Sequence, residues 1–167
     1  MSLRRLIVMR HAKSSWSAPP RSDHERPLTQ RGRKDAARVG NSLLEAGWVP
    51  NLVLSSDAQR TRETFAGLRG AFPGNVEVRF LSSFYHVGPS ALAEELPLIA
   101  EDVECLLLLG HNPGWERLVA QLSDEDVILK TATAALLSLK LSEWKHALRA
   151  GQWALEKVIY PKELQQG

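Results

Sequence analysis

The sequence predicts a three-layer α/β/α sandwich around a mainly parallel central sheet, with an antiparallel strand at one edge. Three observations lead there. Short apolar runs alternate with stretches of helical spacing. One run, "VECLLLLG" (residues 103–110), is apolar enough for the centre of a sheet covered on both faces. Two late segments, "ALLSLKL" and "WALEKVIY", alternate polar and apolar residues as strands do when one face is wet. The 167 residues suit one domain, residues 1–167, with a substantial core.

The first strand runs from about Leu3 to Met9, and a polar, proline-bearing loop from Lys13 to Leu28 follows it. That loop is long for a compact domain, and such loops tend to be functional. Thr29 opens a helix through Ala46, with Ala36, Val39, Leu43 and Leu44 at helical spacing and Gly47 as its stop. "NLVLSS" is a second strand, Asp57 onward a helix to about Phe72, and "VEVRF" a third strand. A helix is predicted from Pro89 to about Ile99, ahead of the apolar fourth strand. Asn112 then suits the N-cap and Pro113 the first turn of another helix. A short helical segment around Trp144 joins the last two strands, which are expected to pair antiparallel.

Hydrophobic residues make up 44% and charged residues 24%, ordinary for a globular protein. The net charge of +2 gives no support to nucleic acid as a partner, because such binders concentrate many more cations. No apolar run reaches membrane-spanning length, and the N-terminal hydrophobic stretch is too short for a signal peptide. Cys105 is the only cysteine, which fits a reducing compartment; a cytoplasmic location is expected. Within "VECLLLLG" it reads as a small buried hydrophobe.

The chemistry lies at the strand exits. The first strand releases the chain at Arg10-His11, followed by Lys13, Ser14 and Ser15. The second exits into "SSDAQR", with Ser55 and Ser56 at the turn and Arg60 in the first helical turn. The fourth exits into Gly110-His111-Asn112. Ligands of open α/β folds sit at the carboxyl edge of the sheet. If these strands are parallel neighbours, two arginines, two histidines and two helix N-termini meet there, a set suited to a phosphoryl group. Any one of them alone is uninformative, since a histidine at a strand end is usually structural. His24 and His146 lack such context and read as surface residues; His86 stays undecided.

"VMRHAKS", "RPLTQRG", "SSDAQRTRET" and "LLLLGHNPG" together resemble the histidine phosphatase superfamily. Within it the chain is most similar to the short branch of SixA-like phosphohistidine phosphatases, over nearly its whole length. The resemblance implies a phosphoglycerate mutase-like fold and a phosphatase working through a phosphohistidine enzyme intermediate. His11 would be the nucleophile, and Arg10, Arg60 and His111 would clamp the phosphoryl oxygens. Lys13, Ser14, Ser15, Ser55 and Asn112 are further candidates for phosphate or substrate contact. No cofactor and no metal are implied, and no clustered Asp/Glu set exists to hold one. Ala12 departs from the glycine that many members carry after Arg-His.

The general acid is the gap in this pattern. Larger members supply a glutamate after the third strand, where this chain reads "LSSFYHVGPSAL" with no acid before Glu94. Asp23 is the nearest substitute proton donor, with Glu25 beside it. Leaving-group chemistry gives that gap a meaning. An alkoxide needs a proton as it departs, whereas imidazole is a far weaker base, with a conjugate-acid pKa of about 6.5. A missing acid therefore fits the phosphohistidine of a partner protein, such as a phosphotransfer domain. The alternatives are a broad small-molecule phosphomonoesterase, with Asp23 or His86 as donor, and a non-catalytic phosphoprotein-binding module.

Overall fold

The computed structural model describes residues 1–16, 22–85 and 88–164. In chain order its main elements are β1 (Ser2–Arg10), α1 (Gln30–Glu45), β2 (Leu52–Ser56), α2 (Gln59–Ala71), β3 (Glu77–Leu81) and α3 (Pro89–Glu95). Then come β4 (Cys105–Gly110), α4 (Gly114–Ser123), β5 (Ala134–Leu141) and β6 (Ala154–Ile159). The strands form one sheet in the order β3-β2-β4-β1-β5-β6. The first four strands in sequence are parallel; β5 is antiparallel to both of its neighbours, β1 and β6, so β6 points the same way as the first four. The expected antiparallel pairing of the last two strands holds, but the strand that runs against the rest of the sheet is β5, between β1 and the edge strand β6.

Burial explains this order. All six residues of β4 are buried, as their continuous apolar run requires. Side chains of alternate residues feed opposite faces. Ile7, Met9, Val53, Leu107 and Leu109 meet Val39 and Leu43 of α1 and Phe65 and Leu68 of α2. Leu6, Val8, Leu54, Leu106 and Leu108 meet Leu92 of α3 and Trp115, Leu118 and Leu122 of α4. Each such leucine contributes roughly 1.5–3 kcal/mol by leaving water. Three layers result. Register then decides where the site can form: Arg10 lies level with Gly110, and Ser55 level with Leu109. The exits of β1, β4 and β2 thus open side by side.

Thr29 caps α1 as its sequence predicts, its hydroxyl accepting from the Gly32 N–H at 3.0 Å. Two helices depart from expectation. The segment from Pro89 leaves the α-helix at Glu95 and turns as a 3-10 helix over Leu96–Leu98. Pro97 has no N–H to continue the ladder, which is why the longer helix fails. α4 begins at Gly114, not at Pro113, after a cis peptide between Asn112 and Pro113. Asn112 still reaches the helix, because its Oδ1 accepts from the Glu116 N–H at 3.3 Å. Gly110 is a packing requirement: a Cβ there would lie 2.8 Å from the Trp115 indole. No helix among the described residues is long and apolar enough to cross a membrane.

Candidate active site

The segment at residues 10–12 is fixed by backbone bonds to its neighbours. Arg10 N–H donates to the Thr133 carbonyl at 3.1 Å, and His11 N–H to the Gly110 carbonyl at 3.0 Å. The His11 carbonyl in turn accepts from Ala132 N–H at 2.9 Å. Thr64, one turn beyond Arg60 on α2, ties the segment to that helix. Its Oγ1 accepts from Ala12 N–H at 3.0 Å and donates to the Arg60 carbonyl at 2.7 Å. The imidazole of His11 is therefore carried on a rigid support.

His11 is 6% exposed, and its Nδ1 lies 2.7 Å from the Ala12 carbonyl. Burial lowers its pKa from 6.5 to about 4; the Ala12 carbonyl opposes this, and Arg60, Arg10 and Arg26 assist it. The ring is thus neutral at pH 7. A neutral ring with a carbonyl against Nδ1 carries its proton there, and its lone pair is on Nε2. That is the form a nucleophilic histidine needs.

The cations around it are held by acceptors. Arg60 is buried in the first turn of α2 and donates through Nη1 to the Asp23 carbonyl at 2.9 Å. Its Nη2 reaches the Asp23 carboxylate at 3.3 Å. Arg10 donates through Nη1 to the Leu129 carbonyl at 3.1 Å. The Nε groups of Arg10 and Arg60 are buried without a hydrogen-bond partner among the described residues. Buried donors of this kind are rare unless an acceptor completes them. The His111 ring lies 5.3 Å from that of His11, and its Nε2 is 2.8 Å from Ser56 Oγ. Three strand exits therefore deliver Arg10, His11, Arg60 and His111 to one place, as the sequence suggested.

Other candidates occupy different settings. Asp23 accepts from the Tyr85 hydroxyl and contacts Arg60 and Arg26 at 3.3 and 3.1 Å. These contacts, the Tyr85 hydrogen bond first, lower its pKa against a smaller effect of burial. These contacts favour the ionised carboxylate and place Asp23 as an acceptor against Arg60. Ser55 is fully buried, donates to the Ser56 carbonyl, and by alternation faces away from Ser56, which holds His111. Asn112 is occupied by Leu129 through Nδ2 at 2.8 Å and by the α4 N-terminus. Ser14 bridges to Leu28, and Ser15 N–H donates to the Pro27 carbonyl. Lys13 lines a cleft together with Arg31, Lys130 and Lys162. His86 lies outside the described residues.

Residues not read as functional complete the wall. Tyr85 stands edge-on to His111 with centroids 5.6 Å apart and meets His24 at 4.8 Å. His24 is itself 2.9 Å from the Asp57 carboxylate. Arg26 packs its guanidinium on the Trp16 ring, 3.4 Å from the centroid. Nothing local marks Tyr85 or Arg26; Thr64 could be found from its four-residue spacing to Arg60. Among the described residues no group of three or more His, Cys, Asp or Glu side chains could hold a metal.

A family model, the histidine phosphatase superfamily (branch 1), matches residues 6–83. An uncharacterized chloroplastic protein of Arabidopsis thaliana is 41% identical over 95% of this chain and 78% of its own length. The structure described as SixA from Nakamurella multipartitia superposes with a TM-score of 0.80. It is 27% identical, over 96% of this chain and 98% of that one. SixA from Agrobacterium tumefaciens gives 0.78 at 26% identity, covering 95% and 98%. The chain belongs to the histidine phosphatase superfamily. Its likeness to SixA structures extends past the family match into β5 and β6, so the superfamily fold accounts for the whole described sheet.

Proposed function

We propose that this protein is a phosphohistidine phosphatase acting on a phosphorylated histidine of another protein. The observation that carries the reading is the state of His11. Its ring is neutral and fixed through Nδ1 to Ala12, and beside it the Nε donors of Arg10 and Arg60 have no partner among the described residues. In the first step the Nε2 lone pair attacks phosphorus. The bond from phosphorus to the substrate imidazole breaks, its electron pair stays on that nitrogen, and the nitrogen takes up a proton from solvent that the attacking water returns in the second step. In the second step water adds to phosphorus, His11 leaves with its lone pair restored, and inorganic phosphate departs. Arg10, Arg60 and His111 stabilise the equatorial oxygens throughout, which is the main demand of phosphoryl transfer.

The setting of Asp23 supports the choice of substrate. Ionised and bonded to Tyr85 and two arginines, it offers no proton to a strongly basic alkoxide. An imidazole leaving group asks least of a missing acid. No step in this sequence requires a metal, and turnover unchanged by chelator is expected.

The test compares phosphohistidine and phosphoramidate with serine phosphate and glycerol phosphates. Efficient turnover of the first pair and poor turnover of the second are expected, with acid-labile, base-stable phosphate trapped on the wild type and absent from His11→Ala. A cleft of about 560 Å3 beside His111, lined by Tyr85, Ser90 and Arg117, favours one other reading. It is large enough for a small leaving group. Faster hydrolysis of a small phosphomonoester than of phosphohistidine would establish that reading instead. An intact pocket with no trapped phosphate on any substrate would mark a binding module.

A further inference from the structure

A second cleft, also of about 560 Å3, lies on the other side of the residue 10–13 segment, between the start of α1 and the turn leading into β5. Lys13, Arg31, Lys130 and Lys162 line it, with Asp35 and Glu163 as its only carboxylates. Asp35 is already engaged by Arg31 at 3.8 Å and Arg38 at 3.3 Å. Among the described residues no carboxylate stands within ion-pair distance of Lys13, Lys130 or Lys162. Ile128, 65% exposed, borders the same cleft. Thr133 also contributes to the lining, and its Oγ1 is buried without a hydrogen-bond partner among the described residues.

The cleft is joined to the nucleophile by short backbone links. Lys13 follows His11 by two residues, and its carbonyl accepts from Thr29 N–H at 2.9 Å. Gly32 makes this seat possible, since a Cβ there would lie 2.2 Å from the Lys13 oxygen. Lys130 sits on a turn closed by Thr133 N–H to its own carbonyl at 3.0 Å. Ala132 and Thr133 of that turn are the residues bonded to His11 and Arg10. The cations are thus placed on segments bonded directly to the backbone of Arg10 and His11.

We propose that this cleft docks an acidic segment of the protein substrate, carboxylate side chains against Lys13, Lys130 and Lys162 and an apolar side chain against Ile128. The inference rests on the phosphohistidine-protein reading above and adds how such a substrate is selected. Charge complementarity favours this occupant. Lysine ammonium groups are mobile point charges, suited to carboxylates presented at varied angles, whereas the arginines of the phosphoryl pocket suit one fixed tetrahedral anion.

The test uses two synthetic histidine peptides, identical except that one is flanked by Glu and Leu and the other by Gln and Leu. Binding of the unphosphorylated peptides is measured first, and then phosphate release after phosphorylation with phosphoramidate. The wild type should bind the Glu peptide about tenfold more tightly and show a correspondingly lower KM with unchanged kcat, as expected for a few partly exposed charge pairs. Lys130→Glu combined with Lys162→Glu should abolish the preference while leaving turnover of the Gln peptide and of phosphoramidate unchanged. Equal binding of both peptides by the wild type, or a preference that survives charge reversal, would overturn the proposal. So would displacement of the Glu peptide by an RNA oligonucleotide at equal charge concentration. A Glu preference in binding with turnover of phosphoramidate alone would sink the protein-substrate reading and leave the cleft's selectivity standing.

Discussion

The two cationic regions flanking the residue 10–13 segment differ in how their charges are held. Around His11 the guanidinium of Arg60 is buried and aimed by the carbonyl and carboxylate of Asp23, and that of Arg10 by the Leu129 carbonyl. In the neighbouring cleft Lys13, Lys130 and Lys162 are exposed, and among the described residues none of them meets a carboxylate at ion-pair distance. A donor fixed before the substrate arrives spends no reorganisation in the transition state, and low solvent access strengthens its field. An exposed ammonium is screened by salt and chosen for tolerance. The count of positive charges is similar on both sides. Their burial and anchoring separate catalysis from docking.

That contrast can be broken from the catalytic side. His11→Ala should lower kcat by on the order of 10^4 or more and remove the trapped phosphate, as loss of a nucleophile does; full activity would invert the assignment. Arg60→Ala should cost about 10^2- to 10^3-fold in kcat, the usual loss when one preorganised donor is deleted. Asp23→Asn sharpens the comparison, because it keeps the Arg60 charge and removes its anchor. A loss of about tenfold in kcat is expected, since Asp23 is half-exposed and its bonds are partly screened. A loss as large as that of Arg60→Ala would restore Asp23 to the reaction itself. The smallest effect belongs to the lysines: raising salt from 50 to 500 mM should raise KM for an acidic phosphopeptide severalfold and leave kcat in place. A matching fall in kcat would mean that the two regions are not separable.

The pH behaviour follows from His11. Its pKa of about 4 in the folded protein lies below the ordinary 6.5, so the unfolded chain binds the proton more readily between these values. Stability from this group is complete above about pH 6.5 and is lost as pH falls towards 4, by on the order of 3 kcal/mol. NMR titration of the His11 ring in phosphate-free protein should show no change between pH 8 and 5 and a midpoint near 4. A midpoint near 6.5 would remove the argument that burial keeps the nucleophile neutral.

Much of the fold was legible because burial leaves a periodic trace. The unbroken apolar run of β4, the Thr29 cap and the alternation in β5 and β6 each announce one element from a few adjacent residues. The spacing from Pro89 predicts a helix through Ile99, and the missing N–H of Pro97 sets the true end. In the site, residues at strand exits could be read because an exit is a local event. Ser56 needed the strand's facing to be known, and Tyr85 and Arg26 come from segments whose sequences carry no sign of their destination. Lys13, two residues from His11, reads as a pocket residue until Gly32 is seen to seat it against α1.

The sequence by itself determined which strands would be buried and that three of them would end in arginine, histidine and serine side chains. Those properties depend on residues within a few positions of one another. Only the tertiary structure decided that Asp23 anchors Arg60 and that Ser56, not Ser55, holds His111. It also brought Lys13 together with Lys130 and Lys162 around one cleft. Each of those outcomes is set by which distant group lies within hydrogen-bonding distance, and such distances exist only once the layers have packed.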